Sequence, residues 1–152
     1  MSDLRELYQE IILDHNRRPR NFGALDGANH HASGHNPLCG DRLTIHLRVE
    51  DGRVAAITFE GAGCAISKAS ASLMTDAIKG KPVAEVEELF REFREMVTSD
   101  IHHLPNTEKL KKLAAFAGVR EFPSRVKCAS LAWHTLHAAL ESREEAVVTT
   151  EA

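Results

Sequence analysis

The sequence predicts an α+β fold in which a small antiparallel β-sheet packs under a layer of helices, and three observations carry that prediction. From Asp41 to Phe59 apolar and polar residues alternate with a period of two, as strands with one wet face require. After Cys64 the apolar residues recur instead at three- and four-residue spacing, the period of helices. No repeat or linker divides the chain, and strands gathered early with helices gathered late indicate one sheet and one helical layer rather than alternating βαβ units. Residues 1–142 are expected to form one domain and residues 143–152 a polar, flexible tail.

Ser2 and Asp3 offer N-caps, and Leu4, Leu7, Tyr8, Ile11 and Ile12 form the buried stripe of a first helix ending near Asn16. Pro19, within Arg17 to Gly23, stops it. A long polar loop with His30, His31 and His35 follows, in which Asn29 to Ser33 is at most a short edge strand. Leu43, Ile45, Leu47 and Val49 alternate with Arg42, Thr44, His46 and Arg48 in the first clear strand. Asp51-Gly52 supplies a tight hairpin turn, and Val54 to Phe59 returns as its partner. Gly61-Ala62-Gly63 breaks the strand; Cys64 to Lys79, rich in Ala, Leu, Met and Ile, reads as a helix closed by Gly80. Pro82 opens the next helix, which buries Val86, Leu89, Phe90, Phe93 and Val97. Thr107 caps a shorter one through Leu110, Leu113, Ala114 and Ala117, stopped by Gly118. The last begins near Ser124 and carries Val126, Ala129, Trp133, Leu136 and Leu140 along one stripe.

Composition excludes several classes of function. With 19 Lys and Arg against 22 Asp and Glu, the net charge of −3 lacks the polyelectrolyte character of a non-specific nucleic-acid or membrane-surface binder. The acidic N-terminus does not resemble a signal peptide, and no apolar run is long enough to cross a bilayer. Three cysteines cannot pair off completely, which points to a reducing, cytoplasmic setting with thiols kept for packing, metal binding or chemistry. A chain of 152 residues buries enough surface to fold without disulfide or metal.

Each cysteine sits where an element begins or ends. Cys39 lies in the Pro37-Leu38-Cys39-Gly40-Asp41 loop, Cys64 follows Gly63 at a strand-to-helix junction, and Cys128 falls in the first turns of the last helix. A helix N-terminus favours the thiolate that metals and electrophilic sulfur require. Asp41, two residues beyond Cys39, shares its face in an extended stretch, so carboxylate and thiolate can reach one ion. An isolated cysteine is nevertheless more often a small buried hydrophobe, and Cys64 and Cys128, with their Ala and Ser neighbours, each fit that role. Without a CxxC pair, spacing leaves both readings open.

Several segments together carry a resemblance: Leu7-Tyr8 with Ile12 to His15, Arg18 to Asn21 with Gly23, Cys39-Gly40-Asp41, Gly61 to Ser67, and Val126 to Trp133. They resemble the SufU members of the IscU/NifU N-terminal family over nearly the whole chain. Lys127 stands where IscU-type scaffolds have a histidine, and an extra segment around Glu92 to Asn106 lengthens the chain between Cys64 and Cys128, both features of the SufU branch. The resemblance implies a SufE/NifU-like α+β fold with a small antiparallel sheet, and a role in iron–sulfur cluster assembly. It also implies a Zn²⁺ site made of Cys39, Asp41, Cys64 and Cys128, with persulfide sulfur accepted from a SufS-type cysteine desulfurase. Cys39 is then the residue expected to take the sulfur, because Gly40 and the loop before it allow movement. The same ligands suit iron or a transient [2Fe–2S] cluster on a scaffold that serves downstream Fe–S assembly proteins, and a structural zinc adaptor is the third reading. Arg17, Arg18 and Arg20 are candidates for docking an acidic partner. His30, His31, His35, His102 and His103 are expected to be surface histidines, and Lys127 either steadies the Cys128 thiolate or points to solvent.

Overall fold

The structure, a computed structural model, describes residues 2–37, 40–100, 102 and 105–141, with side chains in the first helix from Glu6 onward. Helix α1 (Ser2–Arg17) precedes strands β1 (His30–Asn36), β2 (Asp41–Glu50) and β3 (Arg53–Ala62). Helices α2 (Ala65–Ile78) and α3 (Val83–Thr98), a 3-10 segment (Glu108–Glu121) and helix α4 (Pro123–Leu140) complete the chain. The expected tail, 143–152, lies outside the described residues. Among the described residues no helix is long and apolar enough to cross a membrane.

The sheet is antiparallel in the order β1-β2-β3. Its hairpin turns where the period-two pattern requires, with Asp51 and Gly52 both at positive φ (51° and 73°), as two-residue hairpin turns demand. Leu43, Ile45 and Leu47 of β2 are buried, and α4 packs over β1 and β2 while α2 packs over β3. The helical layer therefore covers one face of the sheet. α4 is its central helix, touching β1, β2, α2, α3 and the 3-10 segment, so burial extends around most of its circumference instead of along one stripe. Trp133 stacks on Phe93 with ring centroids 4.8 Å apart, and Phe93 meets Phe116 edge-on. Trp133 and Phe93, both expected on apolar helix stripes, thus lie in the core, with Phe90 half-buried beside them.

Four further expectations require correction. β1 is not a short stub over 29–33 but pairs with β2 along all of His30 to Asn36. Its inward residues are Ala32, Gly34 and Asn36, too small or polar to produce an apolar alternation. That smallness is what α4 needs, since a Cβ on Gly34 would overlap Thr135 Oγ1. β3 also continues through Gly61, which pairs with Leu43 at φ 135°; a Cβ there would overlap the Arg42 carbonyl oxygen. The helix expected from Thr107 is a run of 3-10 turns, broken by non-helical backbone at Lys111 (φ 52°, ψ −120°) and continuing past Gly118. Leu110, Leu113, Phe116 and Val119 are buried at strict three-residue spacing, the 3-10 period. Finally, Leu7 is 51% exposed and leaves the α1 stripe, because among the described residues α1 packs mainly against α2 and the 3-10 segment.

Candidate metal centre

The period of β2 that buries Leu43, Ile45 and Leu47 also turns Asp41 inward, and Asp41 is fully buried. A buried carboxylate needs partners. Its Oδ1 accepts a hydrogen bond from the Cys64 backbone N–H at 2.8 Å, and its Oδ2 lies 3.8 Å from Cys64 Sγ. Cys64 is the N-cap of α2, with extended backbone (φ −69°, ψ 168°), and its sulfur accepts from the Ser67 N–H at 3.5 Å. The thiol thus stands at the positive end of the helix dipole. Gly63 makes this contact sterically possible, since a Cβ there would lie 2.7 Å from Asp41 Oδ1.

Cys128 arrives from the opposite side on α4 and is buried. Asn36 Nδ2 points at its sulfur at 3.9 Å, and Asn36 is the register partner of Asp41. Ser70 Oγ donates to the Ala129 carbonyl at 2.6 Å, stitching α2 to α4 beside the cysteine. The ligand atoms of Asp41, Cys64 and Cys128 consequently all lie within 4.8 Å of one another. In a tetrahedral zinc site, ligand atoms stand roughly 3.4–3.8 Å apart, given metal–sulfur and metal–oxygen bonds of about 2.3 and 2.1 Å. The donor set and its spacing fit such an ion after small side-chain rotations. Cys128 is buried and Cys64 exposed, so the group opens to solvent on the Cys64 side.

Cys39, the remaining sequence-predicted ligand, lies outside the described residues. Asn36 and Asp41, which precede and follow it in sequence, are register partners of β1 and β2. Lys127 is half-buried and lines a cavity of about 270 Å³ with Arg94, Arg120 and His134. Arg18 and Arg20 both pair with Asp14, at 3.1 and 2.6 Å, which engages two of the three arginines considered for docking.

Two arrangements escaped the sequence reading. His15 is buried, with Nδ1 2.7 Å from Ser72 Oγ, and the same hydroxyl accepts the Arg20 N–H at 2.8 Å. Burial, then the Arg20 charge, push the His15 pKa below the ordinary 6.5, which favours the neutral ring. The Ser72 contact ties the end of α1 and the following loop to α2. The histidines of β1 are also not simple surface groups: His30 Nδ1 lies 2.9 Å from the Ala139 carbonyl and His31 contacts His46, while His103 lies outside the described residues. Only strand register could have revealed the His31–His46 pair.

Comparison with known proteins agrees with this fold. The chain is 37% identical over 151 residues to the iron–sulfur cluster assembly scaffold protein IscU of Streptococcus pyogenes serotype M1, covering 99% of this chain and 93% of the relative. It is 36% identical over 143 residues to the zinc-dependent sulfurtransferase SufU of Bacillus subtilis, covering 94% and 95%. A solved structure of a SUF-system SufU protein from Fervidobacterium islandicum AW-1 superimposes with a TM-score of 0.80 at 32% identity, over 90% of this chain and 98% of that one. The NifU-like N terminal domain matches residues 7–129, and with relatives of this identity along nearly its whole length the chain belongs to that family.

Proposed function

We propose that this protein serves iron–sulfur cluster assembly by accepting persulfide sulfur from a SufS-type cysteine desulfurase at a zinc site of Cys39, Asp41, Cys64 and Cys128. The observation that carries the proposal is the convergence of a buried carboxylate and two thiols from three separate elements. Its agreement with the zinc-dependent sulfurtransferase name of the Bacillus subtilis relative supports zinc as the ion. Bound zinc would keep the thiols deprotonated at neutral pH.

The residues of the chain have distinct parts in this reading. Asp41 is held by the Cys64 N–H and cannot swing away without losing that bond. Cys64 and Cys128 are anchored on helices. Cys39 stands next to Gly40, which adopts φ 72°, in the connection between β1 and β2, and is the thiol left to react. Its thiolate attacks the outer sulfur of the desulfurase persulfide; a new sulfur–sulfur bond forms on Cys39, the old one breaks, and the desulfurase thiolate leaves. The second reading, a transient [2Fe–2S] scaffold on the same residues, is favoured by the scaffold name of the Streptococcus relative. One oxygen among the ligands would make such a cluster labile, which suits transfer to downstream assembly proteins.

Metal analysis combined with desulfurase stimulation and mass detection of added sulfur, on wild type and Cys39→Ser, separates these readings. The relay predicts near-stoichiometric zinc and stimulation with a 32 Da adduct, about one added sulfur atom, lost in Cys39→Ser. A coloured iron form that passes its cluster on intact would establish the scaffold, and tightly held zinc with no desulfurase response would establish a structural adaptor.

A further inference from the structure

The outward face of the sheet carries a separate group of imidazole and carboxylate side chains. His31 of β1 and His46 of β2 are register partners. Their Nδ1 atoms lie 2.7 Å apart, with the rings edge to face at 5.0 Å. The other nitrogen of His46, Nε2, is 2.7 Å from Glu60 Oε1 on β3. An ionised carboxylate only accepts, so His46 donates its Nε2–H, and in the neutral ring Nδ1 keeps a lone pair. His31 supplies the proton between the two Nδ1 atoms. Two imidazole nitrogens thus converge on one point, one of them oriented by a carboxylate on its far side, which is the arrangement that carboxylates give to metal-bound histidines.

We propose that His31 and His46 chelate a divalent cation of the zinc class through their Nδ1 atoms, with Glu60 positioning His46. Imidazole nitrogen suits zinc, nickel and copper, not magnesium or calcium. At metal–nitrogen bonds of about 2.0–2.1 Å, two ligands subtending 90–109° stand roughly 2.9–3.4 Å apart. The pair therefore needs to open by only about 0.2–0.7 Å from its contact distance, which ring rotation supplies. On binding, His31 exchanges its Nδ1 proton for one on Nε2 through solvent, both rings stay neutral, and water completes the coordination.

This site is separate from the thiol centre. His46 lies five residues along β2 from Asp41, about 17 Å at strand rise, and its opposite parity puts it on the other face of the sheet. Its donors are nitrogen alone, so the two sites differ in chemistry as well as place.

Zinc titrated by equilibrium dialysis onto the full chain tests the proposal, with imidazole ¹⁵N correlation spectra recorded alongside. The expected result is an equivalent of zinc that depends on the histidines, with the His31 Nδ1 signal changing from protonated to metal-bound. H31Q and H46Q should each weaken that equivalent by about tenfold or more, and E60Q by about 10–100-fold, while H35Q on the same face leaves it unchanged. The proposal fails if wild type binds no zinc beyond the equivalents retained by the H31Q/H46Q double variant, or if the His31 and His46 spectra do not respond to zinc. The spectra use the wild-type chain, so the test stands even where a variant unfolds.

Discussion

Gly63→Ala isolates the contact that holds the carboxylate of the thiol centre. The backbone of Gly63 is not in the left-handed region, so alanine adds no backbone strain. Its Cβ would lie 2.7 Å from Asp41 Oδ1, 3.0 Å from Cγ and 3.2 Å from Cβ, against an ordinary contact of 3.4 Å or more. The whole carboxylate must then move by about 0.7 Å, stretching the 2.8 Å bond from the Cys64 N–H. Losing a hydrogen bond to a charged acceptor costs about 1.5–3 kcal/mol. The reduced freedom of the unfolded chain returns about 0.4–1 kcal/mol. The net expectation is a loss of about 1–2 kcal/mol, or roughly 2–8 °C in Tm for a domain of this size. Metal ligands tolerate displacements of only about 0.2 Å, so zinc affinity should fall about tenfold or more. Chelator competition and urea unfolding of the metal-free protein read the two effects. Wild-type stability together with wild-type zinc affinity would refute the placement of Asp41 against Gly63.

Three further outcomes follow from the same structure. His15 titrates below its unfolded value because burial disfavours its charge, so its contribution is complete above about pH 6.5 and is lost as pH falls from there toward its folded pKa. Urea unfolding of the metal-free protein should therefore show stability falling between pH 7.5 and 5.5, with a shallower fall in His15→Gln. His134, shifted the same way chiefly by burial, keeps part of the slope. Phe93→Ala removes the ring stacked on Trp133 and packed on Phe116, and should cost about 3–5 kcal/mol with a red-shifted tryptophan emission. If the proposed zinc site is loaded, a chelator should lower Tm but leave a cooperative transition, because the hydrophobic core is apolar and does not include the site's ligands; loss of the folded circular dichroism signal would show the opposite.

Local chemistry was legible wherever neighbours in sequence are neighbours in space. The β2–β3 hairpin, the Cys64 start of α2 and the Pro82 entry to α3 each follow from a period, a cap or a ring closure within a few residues. β1 was only partly legible, since its inward Ala32, Gly34 and Asn36 have no apolar signature and are selected by how closely α4 approaches. The 3-10 segment is indistinguishable from an α-helix in sequence because Leu110 and Leu113 satisfy both periods, and the burial of Phe116 and Val119 separates them.

The sequence by itself determined the α+β class, the order of its elements and the residue types able to bind metal, because these depend on short-range periodicity and donor chemistry. Tertiary structure alone decided which of those residues meet. Asp41, Cys64 and Cys128 converge because an antiparallel register, a helix cap and the seating of α4 on β1 act together. His31 reaches His46, and His15 reaches Ser72, for the same reason: contact across tens of residues is set by packing, and no local pattern encodes it.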